Sequence, residues 1–499
     1  MKNGTTMHLD AVPSLEMDEF RSVLKGCVAE GCRVASLFAA TTHHDLSTVY
    51  LVLADDENSE FRVGSTQTID GHYPSLTPDC PQVHLFEREI AEQSGIIPDG
   101  HPWFKPVRYH RTWTGVDGWN RSPHAGIVPG SGDFYRVEGD HVHEVAVGPV
   151  HAGVIEPGHF RFQCSGETVH HLEIALGYQH RGIEKALAGG PDPRSLHYAE
   201  TAAGDTTIGH AMTYCQIIES LTDTKKSARA MTLRGIALEL ERLANHIGDL
   251  GALSGDVGFL PTASYCGRIR GDFLNMTALL CGNRFGRGMI RPGGVAFDLD
   301  EERKTELLKR LDVAEKETGS AVKLLWDNSS VMARFEDTGP LPQDVAREIG
   351  MVGVAARASG LLRDVRYTHP SGVFSFSQIP VSHFTTGDVF ARAYVRWLEI
   401  QMSTAFIREQ LHKIPTGEIY APPGVPAPNS ISVSMNEGWR GEVCHTAITD
   451  KDGHFARYKI TDPSFHNWSG LSRAMRGQEI SDFPLCNKSF NLSYCGHDL

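Results

Sequence analysis

Two helix-like segments each carry a stripe of charge beside an apolar face, and this pairing constrains the fold more than any other feature of the sequence. From Ser227 to Leu253, residues Ala237, Leu240, Leu243, Ala244, Ile247 and Leu250 recur at i, i+3 and i+4, the pattern of a packed helix. Glu239, Arg242, His246 and Asp249 share a second face of the same segment. The stretch "GDVFARAYVRWLEIQMSTAFIREQL" repeats the arrangement: Asp388, Arg392, Arg396 and Glu399 line one face, while Val389, Ala393 and Leu398 supply apolar surface elsewhere. One such ladder on an exposed helix is ordinary solvated charge, or ion pairs held for structure. Two of them, both flanked by apolar residues, imply buried charges that satisfy one another. A further helix is expected over Glu301–Trp326, with Leu307, Leu308, Leu311 and Ala314 turned inward.

A chain of 499 residues is longer than one core supports, and about 150 residues per domain predicts two to four units. From Leu15 to about His110 the pattern is compact α/β, with a helical "EFRSVLKGCVAEG" and the strand-like "RVASLFAATT" and "STVYLVLADD". Residues 1–110 therefore read as a small independent α/β domain. Residues 111–144 are dense in Gly, Pro, Ser and Asp and read as a linker. Residues 145–499 begin with strand-like segments and continue as a mainly helical domain, which makes the whole α+β.

The 47 Lys and Arg against 61 Asp and Glu leave a net charge of −14, which argues against a nucleic-acid groove and against a basic face for anionic lipid. No run approaches the ~18 apolar residues of a bilayer span, and the opening "MKNGTTMHLDAVPSLEMDEF" has no basic region leading into an apolar core. A cytoplasmic chain with no transmembrane segment of its own is expected, meeting a membrane through protein partners. Ten cysteines stand in the chain, no two of them separated by two residues, so a local C-x-x-C metal clamp is excluded and inert thiols are favoured over disulfides. Nor does a G-x-G-x-x-G join a strand to a helix, so direct NAD binding is not supported.

The string "HLFEREIAEQSGIIPDGHPWFKPVRYH" (84–110) resembles the C-terminal motif of the C-type, 30 kDa subunit of complex I, the NADH–quinone oxidoreductase. "GPVHAGVIEPGHFRF" and "GYQHRGIEKAL" resemble the opening of its D-type, 49 kDa subunit and of the large subunits of energy-converting hydrogenases, formate hydrogenlyase included. "ELERLANHIGDLG", "RGMIRPGGV", "GVAARASGLLRDVR", "GDVFARAYVRWLEI" and "GWRGEVCH" continue the likeness in order. The resemblance covers nearly the whole chain and implies fused C-type and D-type parts. It also implies a small iron–sulfur partner subunit, membrane-arm partners, and a peripheral place on the inner face of the cell membrane.

In nickel–iron hydrogenases of this group, four thiolates hold the metals, since soft sulfur suits nickel and iron. Here the loop "ETAAGDTTIGHA" (200–211) places Ala203 and Thr206 on the first pair of ligand positions, and "SFNLSYCGHDL" places Asn491 and Tyr494 on the second. Cys495 misses by one residue. The resemblance thus implies a hydrogenase-shaped cavity without its metal ligands, no cofactor bound by this chain, an iron–sulfur cluster in a partner, and a quinone-like acceptor. The chain departs from complex I as well, with Tyr198 several residues before the loop and Asp205 within it. Candidate proton donors are His159, Asp205, His210 and Tyr494. Against these, His210 and Asp205 also suit a helix start, and Tyr494 also suits simple packing. Glu156, with Ala203, Thr206 and Asn491, would line the acceptor site, and the two charged stripes would relay protons or hold structure. The alternatives are an active nickel–iron large subunit or a non-catalytic scaffold for the cluster subunit.

Overall fold

The computed structural model describes the whole chain except residues 44, 45, 69, 123, 125, 127–129, 131 and 154 and the side chains of 41–43 and 46. Strand β1 (Thr5–His8) is followed by helix α1 (Met17–Ala29) and by β2 (Arg33–His43), β3 (Leu46–Asp55) and β4 (Glu60–Thr68), which form an antiparallel sheet in that order. Alternation turns Val49, Leu51 and Leu53 of β3 to one face. Phe20 and Leu24 of α1 and Phe86 and Ile90 of α2 (His84–Ser94) cover that face. At the end of α2 the chain turns through Gly95 at φ 72°, where an added Cβ would lie 2.4 Å from the Val116 carbonyl oxygen. The expected linker is thereby held against α2 and the rest of it is mostly irregular, six of its residues lying outside the described ones.

Strands β5 (His143–Val147), β6 (His159–Ser165) and β7 (Thr168–Ala175) make a second antiparallel sheet. The long helices follow: α3 (Thr207–Leu221), α4 (Ala228–Asp256), α5 (Leu260–Cys281), α6 (Glu301–Trp326) and α7 (Val389–His412). Their apolar faces merge into one core, in which all six expected residues of α4 are buried. In α6, Leu307, Leu311 and Ala314 are buried as expected and Leu308 is half-buried. The chain ends through β8 (Ser430–Glu437), β9 (Glu442–Thr449) and β10 (Phe455–Thr461), then α8 (Pro463–Ala474) and α9 (Phe483–Phe490). Among the described residues no helix is long and apolar enough to cross a membrane.

The first residues do not belong to an independent α/β unit. β1 pairs antiparallel with β8, Thr6 opposite Ser432, and completes a sheet in the order β1-β8-β9-β10. Buried ion pairs also cross the seam: Arg33 meets Glu442, and Lys459 of β10 lies between Glu89 of α2 and Glu184. Such pairs persist in an interior only when both partners are present, so the two parts are interlocked.

The charged stripes do meet. Glu399 of α7 lies 2.6 Å from His246 Nε2 and 3.5 Å from Arg242 Nη1, both on α4, and Arg396 Nε donates to Asp249 at 2.6 Å. Partners from the 357–366 segment close the network: Arg357 donates to Glu399 at 2.5 Å, and Arg366 to Glu239 at 3.0 Å and Asp364 at 2.6 Å. Two members of the second stripe stand apart. Asp388 is the N-cap of α7, accepting from the Ala391 N–H at 2.8 Å, because the helix starts only at Val389. Arg392 donates to Ser489 and to the carbonyls of Gly387 and Gly339, and has no carboxylate partner among the described residues. Burial lowers it to about 10.

Candidate functional site

The loop before α3 is clamped from below. Trp439 Nε1 and Asn245 Nδ2 both donate to the Asp205 carbonyl, at 2.9 and 3.1 Å. Trp439 and Arg440 are carried by the turn between β8 and β9, which closes with Gly438 N–H to Gly441 O at 2.8 Å. Gly441 has φ 142°, and a Cβ there would lie 2.7 Å from the Gly353 Cα, so two backbones pass too closely for any side chain.

Arg440 then organises the site. Its guanidinium meets the Asp205 carboxylate in a two-pronged pair at 2.6 and 2.7 Å, while Nε donates to the Asn491 carbonyl at 2.6 Å. This fork geometry suits arginine and not lysine. Asp205, Asp462 and Asp249 all act on Arg440, and their negative charge outweighs burial to hold its cation firmly protonated. Asp205 remains about one-third exposed, 36% for its side chain, whereas Arg440 is 5% exposed. Asp205 does not cap α3. That role falls to Glu241 of α4, whose carboxylate accepts from the Ile208 and Gly209 N–H groups at 2.7 and 3.2 Å. Burial, with some help from Asp205, still pushes Glu241 up to about 8.

Beneath the loop runs a buried polar chain that includes residues the sequence reading missed. His210 Nε2 lies 3.1 Å from Asp462 Oδ2, and its Nδ1 lies 3.1 Å from His445 Nε2. His445 Nδ1 in turn lies 2.8 Å from the Tyr458 hydroxyl. One set of tautomers satisfies all four groups: Tyr458 donates to His445, His445 to His210, and His210 to Asp462. Burial drives His445 well below the usual imidazole range, with the neighbouring His210 adding to the effect, so His445 is neutral. Burial opposes ionisation of Asp462, but its bond to His210 and the charge of Arg440 hold it below its ordinary value. The signal for His445 and Tyr458 was faint. They sit on strands buried on both faces, where alternation vanishes.

The other expected residues fall into three environments. Asn491 ends α9 at φ 45° and donates to Asp249 at 2.6 Å, joining the loop site to the charge network. Tyr494 is buried against Phe160 and Trp468, burial raising its hydroxyl to about 12, and its N–H reaches Glu156 Oε2 at 3.3 Å. His159 is held elsewhere. Its ring packs on Phe134, its Nε2 accepts from Arg161 at 3.1 Å, and burial lowers it below the usual imidazole range. Nothing joins His159 to the Arg440 cluster among the described residues.

The donor set does not fit a nickel–iron centre. Ala203 and Thr206 are buried without sulfur, Asn491 and Tyr494 are committed as above, and Cys495 faces Ser493 with its thiol raised by burial to about 11. One thiol cannot stand in for the four thiolates that hold such metals. Behind the loop, Asp205, Ile208, Glu241, Asn245 and Phe285 line a space of about 10 Å³, room for a single water.

Residues 14–122 match the family described as respiratory-chain NADH dehydrogenase, 30 Kd subunit, and residues 256–429 match its 49 Kd subunit. The carbon monoxide-induced hydrogenase of Rhodospirillum rubrum is 31% identical over 348 residues, 70% of this chain and 96% of that protein. Formate hydrogenlyase subunit 5 of Escherichia coli is 27% identical over 464 residues, covering 89% of this chain and 81% of its own. NADH-quinone oxidoreductase subunit 4 of Thermus thermophilus is 29% identical over 363 residues, 67% and 89% of the two chains. With both subunit types in one chain and a hydrogenase matched over almost its full length, the protein belongs to the family that unites energy-converting hydrogenase large subunits with the 30 and 49 kDa subunits of NADH–quinone oxidoreductase.

Proposed function

We propose that this chain is a peripheral electron-transfer subunit of a membrane-associated oxidoreductase complex, working without a nickel–iron centre of its own. Electrons enter from an iron–sulfur cluster in a small partner subunit and leave to a quinone-like acceptor. The acceptor meets the chain at the edge where Asp205 and Glu156 reach the surface, completed by that partner. The observation that carries the reading is the Asp205–Arg440 pair lying at a partly exposed loop, beside a buried Asp462–His210–His445–Tyr458 chain. A reduction of this kind takes two electrons and two protons for each acceptor molecule; in this reading Asp205, loosened from Arg440, takes a proton from solvent on its exposed side and passes it to the acceptor. Arg440 holds Asp205 in place, and Asp462 and His210 set the charge around Arg440.

The test uses the intact complex, purified without oxygen, with a short-chain quinone as acceptor. Asp205→Asn is expected to lower turnover by about 10²-fold, the usual weight of one proton-transfer group, while the cluster subunit stays bound. Unchanged turnover would remove Asp205 from the reaction and favour the scaffold reading. Nickel at one atom per chain in the same preparation would overturn the reading altogether.

A further inference from the structure

A second cavity lies away from the loop, where α2 faces β7 and α8. It measures about 790 Å³, within the size range of sites for small organic ligands. Its walls are apolar in the middle, from Leu85, Ile174, Leu176, Ile349 and Trp468. Trp468 is buried, and its Nε1 has no hydrogen-bond partner among the described residues.

The charge around this cavity is one-sided. Arg88, Arg473 and Arg476 line it, and Glu173 is its one carboxylate. Glu173 is already committed, to Lys105, to Trp103 Nε1 at 3.0 Å and to the Tyr135 N–H at 2.8 Å. Arg88 is held by the carbonyls of Lys105 and Pro106, which orient its guanidinium without neutralising it. Arg473 and Arg476 have no carboxylate partner among the described residues, and their mutual repulsion adds to burial in lowering Arg476. Like charges left together at a cavity mouth favour an anion between them. The histidines of the wall add polarity without charge: burial takes His84 to about 3 and His101 to about 4.

We propose that this cavity binds an anionic amphiphile, a phosphate or carboxylate head between Arg473 and Arg476 with an apolar body against Ile174, Leu176 and Trp468. The site is separate from the electron-transfer reading and does not depend on it. It is nevertheless close to that site, for Trp468 packs edge-on against Tyr494 with ring centroids 4.9 Å apart.

The head could come from a single-chain lipid or from an aromatic phosphate, and calorimetric titration of the full chain separates them. The probes are dodecyl phosphate below its micelle concentration, flavin mononucleotide, and dodecanol as the neutral control. Binding of one phosphate at one site per chain, at least tenfold tighter than dodecanol, is expected, and whichever phosphate binds tighter assigns the source. Arg473→Glu with Arg476→Glu, both at the rim, should weaken that binding at least tenfold, and Ile174→Trp should abolish it by filling the cavity. If the arginine pair changes the affinity less than twofold, or dodecanol binds as tightly as dodecyl phosphate, the proposal is overturned.

Discussion

The charge network between α4 and α7 and the Asp205–Arg440 pair are both arginine–carboxylate clusters, yet they are built to opposite ends. In the network, Glu239, Arg242, His246, Arg357 and Glu399 are all fully buried, and each carboxylate answers to two or more cations. At the loop, one arginine grips one carboxylate whose other side faces solvent. A charge buried with several partners cannot exchange them without leaving another uncompensated, so the network is a fixed frame. Water reaches the one-third-exposed carboxylate while Arg440 stays buried behind it, which is the property a site of proton delivery requires.

The contrast breaks first in the frame. Glu399→Ala removes the carboxylate shared by Arg357, Arg242 and His246 and should cost about 3–5 kcal/mol, the range for stranding buried charge. Urea unfolding of the full chain measures it. A loss under about 1 kcal/mol would mean that water reaches the network and the frame is not dry.

Glu241, between the two regions, sharpens the comparison through pH. Its folded value of about 8 lies above its ordinary 4.5, so between these values the folded chain keeps a proton that the unfolded chain releases. Stability must then fall as pH rises through that window, by up to about 1.4 kcal/mol per pH unit. Glu241→Gln keeps an acceptor for the α3 amides and should remove this slope, becoming more stable than the parent at pH 8 relative to pH 5. Parallel stability curves for the two proteins would show that the amide bonds keep Glu241 ionised.

The smallest effect is expected at the loop itself. Asp205→Asn should change stability by less than about 1 kcal/mol, because its carboxylate is partly solvated and Asp462 and Asp249 still act on the Arg440 cation. Thermal unfolding checks it, and a loss as large as that of Glu399→Ala would dissolve the distinction between frame and site.

Much of the frame was legible in the sequence because helical period places Glu239, Arg242, His246 and Asp249 on one face whatever surrounds them. Burial of that face then demanded countercharges, and the second stripe supplied Arg396 and Glu399. Asp388 caps α7 instead of lying on it, because spacing continues through a helix start and cannot tell a cap from a first turn, while Arg392, on the helix, turns to Ser489 and two backbone carbonyls. The candidate site was legible only in part. Asp205 and Asn491 both meet Arg440 and His210 meets Asp462, but Asp462, His445 and Tyr458 show no pattern in sequence, and His159, in a different motif, lies apart.

By itself the sequence determined the helical faces, the apolar core of α4 and α6 and the absence of a paired-cysteine clamp, since each follows from local spacing or residue identity, and its motifs carried the resemblance to two fused subunit types. Tertiary structure alone decided that β1 completes the sheet of β8, that Arg440 joins Asp205 to the Asn491 carbonyl, and that three arginines gather around the second cavity. These depend on contacts between segments hundreds of residues apart, where pairing is set by shape and charge complementarity of the folded chain and leaves no period to read.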